Sequence, residues 1–311
     1  MIADILCILG GIFLVLWGAD RLTDGAVGIA ERLRIPQIVI GLTIVAMGTS
    51  MPEFCVSLVS AIKGTPDLAV GNVIGSNVFN TLLIVGIAAL VTPITILQNT
   101  VRKDIPFAVI ASVLLVLFCL NETISRFNAA MLFCLFLVFM YITLKGARKQ
   151  ENEKTKEQEN SLAPLWKCIG LILLGLACLI GGSNIFVEGA THVASALGIS
   201  EAVIGLTVVA MGTSLPELAT TVVSARKGNS GIAIGNVLGS NVFNILLVLG
   251  ATGIICPMEL QGITYVDFAM LAGSMILLWL FSFTKLTIQR WEGALLTAIF
   301  TGYLVWLIWQ I

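Results

Sequence analysis

Ten apolar stretches follow one another along this chain, and no other feature limits its fold so severely. They run over residues 2–20, 36–62, 68–91, 105–121, 128–145, 165–188, 201–225, 232–256, 266–283 and 291–309. A helix that crosses a bilayer needs about 20 mostly apolar residues. Only 11% of the 311 residues are charged, against about 25% in soluble domains, so lipid is the expected solvent. Inside lipid every backbone polar group needs a partner within the protein, which leaves helices or closed barrels. Stretches of this length select helices, and the expected fold is an all-α integral membrane protein with ten transmembrane helices. The first stretch has no basic segment before it and no small-residue cleavage site after it, so it reads as a span rather than a signal peptide.

Charge placement assigns the sides. With the N-terminus outside, fifteen of the 17 Lys and Arg residues fall in inner connections, from Arg21 to Arg290. Only Lys63 and Arg126 fall in outer ones. Positive charge collects on the cytoplasmic side of membrane proteins. Both termini are therefore expected to be extracytoplasmic, in a cell inner (plasma) membrane, and the polar segment 146–164 is expected to be a cytoplasmic linker. That linker divides the chain into residues 1–145 and 165–311. A net charge of −1 offers nothing to nucleic acid. The seven cysteines show no metal-binding spacing and read as small hydrophobes.

The two halves repeat each other. Gly41–Asn80 reads GLTIVAMGTSMPEFCVSLVSAIKGTPDLAVGNVIGSNVFN, and Gly205–Asn244 reads GLTVVAMGTSLPELATTVVSARKGNSGIAIGNVLGSNVFN. They align without gaps at an offset of 164, with 26 of 40 positions identical. Upstream, Asp24 falls opposite Glu188; both read either as interfacial charge or as residues at a gate edge. Equivalent points lie five spans apart, an odd number, so the second half enters the membrane in the opposite sense. Two inverted five-helix repeats are a secondary-transporter architecture, with the site near the midplane.

Each copy sets a polar cluster inside an apolar span: Gly48-Thr49-Ser50-Met51-Pro52-Glu53 and Gly212-Thr213-Ser214-Leu215-Pro216-Glu217. Proline lacks the N–H that would bond the carbonyl four residues back, so the helix is expected to break there. The carbonyls near Ala46 to Thr49 and Ala210 to Thr213 are expected to be freed. Glu53 shares a helix face with Thr49 and Ser50, and Glu217 with Thr213 and Ser214. A carboxylate in mid-span costs at least a few kcal/mol and calls for a partner. Two of them near a pseudo-twofold axis repel each other, and a cation between them removes both penalties. Oxygen-only ligands suit Ca2+, Mg2+ or Na+. A second stripe, Asn72, Ser76 and Asn80, with its copy Asn236, Ser240 and Asn244, supplies more oxygen ligands or supports the glutamates. Gly71, Gly75, Gly235 and Gly239 permit close helix approach.

These paired motifs resemble the two alpha-repeats of the cation/Ca2+ antiporter superfamily, in particular its prokaryotic Na+/Ca2+ exchanger branch. The resemblance implies Ca2+ ligation by the Glu53 and Glu217 side chains with the Thr49 and Thr213 carbonyls. It implies Na+ sites from Ser50, Ser214, Ser76, Ser240 and the carbonyls of Ala46 and Ala210, with Asn80 and Asn244 lining the centre. Some members, including K+-dependent exchangers, look to have Asp where this chain has Asn244. The Asn in both repeats argues against K+ co-transport, and the motif around the glutamate favours Na+ over H+.

The expected function is secondary active antiport of Ca2+ against Na+, with the two ions and the lipid bilayer as the chain's only implied partners and with no cofactor. Protons competing for the carboxylates are expected to inhibit at acidic pH. A Ca2+/H+ or other divalent-cation antiporter is the nearest alternative. A passive channel would pass Ca2+ without a counter-ion, and an intramembrane metalloenzyme would need His-rich zinc spacing such as HExxH, whereas this chain has one histidine, His192.

Overall fold

The computed structural model describes residues 2–151, 163–198, 208, 210–260 and 262–309, with backbone alone for 148–151 and 210. Most of the linker and the first part of the expected seventh span therefore lie outside the described residues. Almost everything described is helix. Seven helices are long and apolar enough to cross a membrane, and one bent pair brings the number to eight.

The first helix, α1 (Ile2–Arg32), and α7 (Leu165–Ala196) are 31 and 32 residues long, longer than the spans 2–20 and 165–188 read from hydropathy. At about 1.5 Å per residue, each exceeds a hydrocarbon core of about 30 Å. They lie antiparallel and very close. A Cβ on Gly18 would meet the Gly175 carbonyl oxygen at 2.8 Å, and one on Gly11 would meet that of Gly182 at 2.7 Å. Small residues let helix backbones approach in lipid, which is why this pair carries glycine at heptad spacing.

The second apolar stretch is a broken pair, α2 (Gln37–Thr49) and α3 (Met51–Ile62), bent by 47°. Ser50 sits at the break with φ −83° and ψ 5°. Pro52 has no N–H for the Gly48 carbonyl, so the ladder cannot continue. The second copy breaks identically between α8 (Ala210–Thr213) and α9 (Leu215–Arg226), with Ser214 at φ −92° and ψ 6°. Two long helices carry the Asn/Ser stripes, α4 (Pro66–Val91) and α10 (Ser230–Ile255). Each contains a π-helical turn, at Phe79–Ile84 and Phe243–Val248. The remaining helices are α5 (Ile105–Cys119), α6 (Arg126–Glu151), α11 (Tyr265–Ser282) and α12 (Arg290–Trp309).

The contacts repeat at the same offset of 164 as the sequence. Strand β1 (Ile94–Thr95) pairs with β4 (Thr287–Ile288), and β2 (Thr123–Ile124) with β3 (Met258–Glu259), both antiparallel. Phe79 of α4 meets Phe300 of α12 edge-to-face at 5.4 Å, and Phe243 of α10 meets Phe136 of α6 at 5.0 Å. The last helix of each half therefore packs on the other half. Burial of these aromatic and aliphatic side chains makes one continuous core through α4 and α10.

Bonds between connections respect the sides read from Lys and Arg. On the basic side Lys227 meets Asp20 at 2.5 Å and Asp24 at 2.7 Å, and Gln37 donates to Asn229 at 3.1 Å. Partial burial disfavours the Lys227 ammonium, but the two carboxylates outweigh it and raise its pKa above the ordinary lysine value. On the opposite side His192 meets Asp4 at 3.1 Å, and the Gly262 N–H donates to Asp67. His192 stands within α7, not in a connection. The cysteines are less uniformly buried than expected: Cys119 and Cys168 are buried, while Cys55 and Cys134 are exposed.

Candidate cation site

The two helix breaks bring the repeated motifs together at the centre of the core. Glu53 and Glu217 are fully buried, one in the first turn after each break. The serine at each break serves the carboxylate of the other repeat. Ser50 Oγ donates to Glu217 Oε1 at 3.1 Å, and Ser214 Oγ donates to Glu53 Oε1 at 2.9 Å. Ser240 adds a long bond to Glu217 Oε1 at 3.4 Å, and Ser214 also contacts Ser76 Oγ at 3.3 Å. Thr213 stands beside Glu53 and Thr49 beside Glu217, with Thr49 Oγ1 donating to Asn236 Oδ1 at 3.1 Å. The expected residues Thr49, Thr213, Ser50, Ser214, Ser76 and Ser240 thus gather round the two glutamates.

The carbonyls behave less simply than the proline argument implies. Ala46 O accepts the Ser50 N–H at 3.0 Å and a weak bond from Thr49 Oγ1 at 3.4 Å, so the break does not free it. It keeps its ordinary helical partner because the i+4 donor is Ser50, not proline. Gly212 O, which Pro216 cannot bond, is taken by the Ser183 hydroxyl of α7. The counterpart of Ser183 in α1 is Ala19, which has no hydroxyl to offer Gly48. The carbonyl of Ala210 belongs to the short α8.

Asn72 and Asn236 hold the breaks rather than face the centre. Asn72 Nδ2 donates to the Glu53 carbonyl at 3.2 Å and to Ser57 Oγ at 3.0 Å. Asn236 Nδ2 donates to the Glu217 carbonyl at 3.3 Å and to Thr221 Oγ1 at 3.0 Å. Each amide clamps the backbone that presents its glutamate. The clamp is built twice at the same spacing.

Asn80 and Asn244 are fully buried in the π turns. Asn80 Nδ2 donates to Asn241 Oδ1 at 3.2 Å, and Asn244 Nδ2 donates to Asn77 Oδ1 at 3.3 Å. Asn77 and Asn241 were not singled out among the candidate residues. They fix which end of each amide is free. Asn241 is held in turn by Thr81 at 2.8 Å and by the Met275 sulfur at 3.3 Å. The signal in the sequence was that GSNVFN recurs whole, with the middle Asn identical in both copies.

Among the buried oxygens without a hydrogen bond, four belong to these residues: Glu53 Oε2, Glu217 Oε2, Asn80 Oδ1 and Asn244 Oδ1. They form two pairs related by the 164-residue offset. A buried unpaired polar atom costs about 1–3 kcal/mol, more for a charged one. No ion pair to Lys, Arg or His relieves either carboxylate among the described residues. The described residues hold no cluster of three or more His, Cys, Asp or Glu, and the side-chain acceptors gathered here are oxygens. Hard oxygen donors, two of them acidic and with no cationic side chain beside them, have the chemistry to take up a hard cation. The glycines of the stripe divide: Gly235 and Gly239 are packed against α2, but Gly75 has nothing within 4 Å of an added Cβ.

Known proteins resemble this chain along almost its whole length. A family model described as sodium/calcium exchanger protein matches residues 4–145 and 167–309. The inner membrane protein YrbG of Escherichia coli is 38% identical over 311 residues, covering 96% of this chain and 93% of that protein. The sodium/calcium exchanger MaX1 of Methanosarcina acetivorans is 34% identical, covering 97% of each. The solved structure of the sodium-calcium exchanger NCX_Mj, soaked with Na+ and Sr2+, superposes with a TM-score of 0.86 at 30% identity, over 98% of both chains. This chain is an integral membrane protein and belongs to the sodium/calcium exchanger family.

Proposed function

We propose that this protein exchanges Ca2+ for Na+ across a cytoplasmic membrane, by alternating access to the site between Glu53 and Glu217. The observation that carries the reading is the set of four buried, unpaired oxygens in two equivalent pairs. Two carboxylates balance one Ca2+, so the loaded centre is nearly neutral. Na+ ions replace it by sharing the same carboxylates with Asn80, Asn244 and the serine and threonine oxygens. The empty centre leaves two unpaired carboxylates in a low dielectric, which is costly. Conversion between states is therefore allowed when loaded and opposed when empty, the condition for exchange rather than leak.

The reading includes ten spans in two inverted repeats. Its support is the matched breaks at Ser50 and Ser214, the matched strand pairs and the reciprocal Phe79–Phe300 and Phe243–Phe136 contacts. The basic side, with Arg21, Arg102, Lys227 and Arg290, is cytoplasmic in this reading. Both termini are then extracytoplasmic. Membership of a family of ion exchangers speaks for transport rather than enzymatic turnover.

The deciding experiment is 45Ca2+ uptake into sealed vesicles preloaded with Na+, with K+, or at low internal pH with neither. Uptake is expected only with internal Na+, and Glu53→Gln or Glu217→Gln is expected to reduce it at least a hundredfold. Uptake driven by internal acid would assign Ca2+/H+ exchange. Uptake without any counter-ion would assign a channel and sink the proposal.

A further inference from the structure

The internal repeat gives contacts on one side of the membrane their counterparts on the other, and one counterpart is missing. On the basic side Lys227, at the C-cap of α9, meets Asp20 at 2.5 Å and Asp24 at 2.7 Å on α1. One turn deeper, Thr23 Oγ1 and Ser224 Oγ are 2.9 Å apart. The offset of 164 carries Lys227 onto Lys63 and Asp24 onto Glu188. Lys63 caps α3 just as Lys227 caps α9. Gly64 and Gly228 follow with φ +79° and +78°, and Thr65 N–H to Ser60 O matches Asn229 N–H to Ser224 O, both 2.9 Å.

Lys63 and Glu188 are nonetheless both exposed, and among the described residues neither side chain has an ion-pair or hydrogen-bond partner. His192, one turn beyond Glu188, is already held by Asp4. The packing shows the same imbalance. A Cβ on Gly239 would strike Ala46 Cβ at 2.5 Å and Leu42 O at 2.9 Å, whereas one on its counterpart Gly75 would meet nothing within 4 Å.

We propose that Lys63 and Glu188 are a latent ion pair that closes the side opposite the basic one, forming when the Lys227–Asp24 pair opens. The inference rests on the alternating-access reading above. When the opposite side shuts, α7 takes against α3 the place that α1 now holds against α9, which carries Glu188 to Lys63. An exposed pair shifts a two-state equilibrium by about two- to fivefold. Two pairs acting in opposite senses keep both states populated, which exchange requires. Asp20 corresponds to Asn184, so the latent pair has one carboxylate where the formed one has two. That difference favours the arrangement seen here.

A carbodiimide, which joins a paired lysine and carboxylate as an amide, tests this on the whole protein in vesicles without needing transport. Peptide mass spectrometry is expected to find a Lys63–Glu188 amide, and Lys227→Gln is expected to raise its yield two- to fivefold. In Na+-driven 45Ca2+ uptake, Lys63→Glu and Glu188→Lys are each expected to slow exchange two- to fivefold, and the double exchange to restore it. Absence of the amide, a yield indifferent to Lys227→Gln, or a double variant no faster than the slower single would overturn the pair. Loss of Na+-driven uptake in the parent protein with the amide still present would overturn the antiport reading instead.

Discussion

In the proposed site, the orientation of single amides decides whether the centre can take up a cation. An asparagine offers donors at one end and an acceptor at the other. Turned the wrong way, Asn80 and Asn244 would present N–H groups to a positive ion. Asn241 and Asn77 prevent this by accepting the N–H at 3.2 and 3.3 Å. Asn241→Ala removes the acceptor for Asn80 and leaves the Thr81 and Met275 contacts unmade. Groups that orient ligands typically carry ten- to a hundredfold of affinity or activity. Asn241→Ala is therefore expected to raise the KM for Ca2+ at least tenfold in vesicle uptake, with the folded protein still eluting as a single species in detergent. Asn241→Asp keeps an acceptor and is expected to retain more activity than the alanine variant; equal losses would argue against an orienting role.

At the scale of elements, helix packing separates two glycines that the sequence makes equivalent. Gly239 lies against α2, where an added methyl would meet the Leu42 backbone at 2.9 Å and the Ala46 side chain at 2.5 Å. Overpacking of this kind costs about 1–3 kcal/mol. Gly75, at the equivalent depth of α4, has open space, and replacing a mid-helix glycine by alanine gains roughly 0.5–1 kcal/mol. Gly239→Ala is expected to lower Tm in detergent and Gly75→Ala to raise it. Gly75→Ala is also expected to slow exchange, because the closed form of that side needs the space. This asymmetry was not legible in the repeat, where both glycines stand in the same GNxxGSN context. What local chemistry dictates could be read: the break before Pro52 and Pro216, the buried glutamates and the polar stripe. What depends on juxtaposition could not. The two-residue strands, the Asn77–Asn244 bond and the cross-repeat phenylalanine contacts join residues more than a hundred positions apart. The lengths of α1 and α7 were underestimated because their ends turn polar at Arg21 and Glu188 while the helices continue.

Over the whole molecule, the two halves are interlocked rather than set side by side. α12 packs on α4 through Phe300 and Gly293, where a Cβ would meet the Gly86 carbonyl at 2.7 Å. α6 packs on α10 through Phe136 and Phe133, whose N–H would lie 2.9 Å from a Cβ on Gly250. Each half alone would expose these faces to lipid, where apolar burial gives no compensating drive and shape fit supplies the association. In the proposed exchange the change of access must therefore come from α1 and α7 moving against this interlocked frame, rather than from the halves separating. A protease site inserted within residues 152–162 tests both the interlock and the sidedness. Cleavage is expected only when protease is added to the cytoplasmic face, as the concentration of Lys and Arg on that side requires. The two fragments are expected to co-purify through a tag on either one and to keep Na+-driven Ca2+ uptake, since the joints that hold them lie in α4, α6, α10 and α12. Cleavage from the other face would invert the assigned orientation, and fragments that separate in mild detergent would mean the cross-packed faces are too weak to hold the halves together.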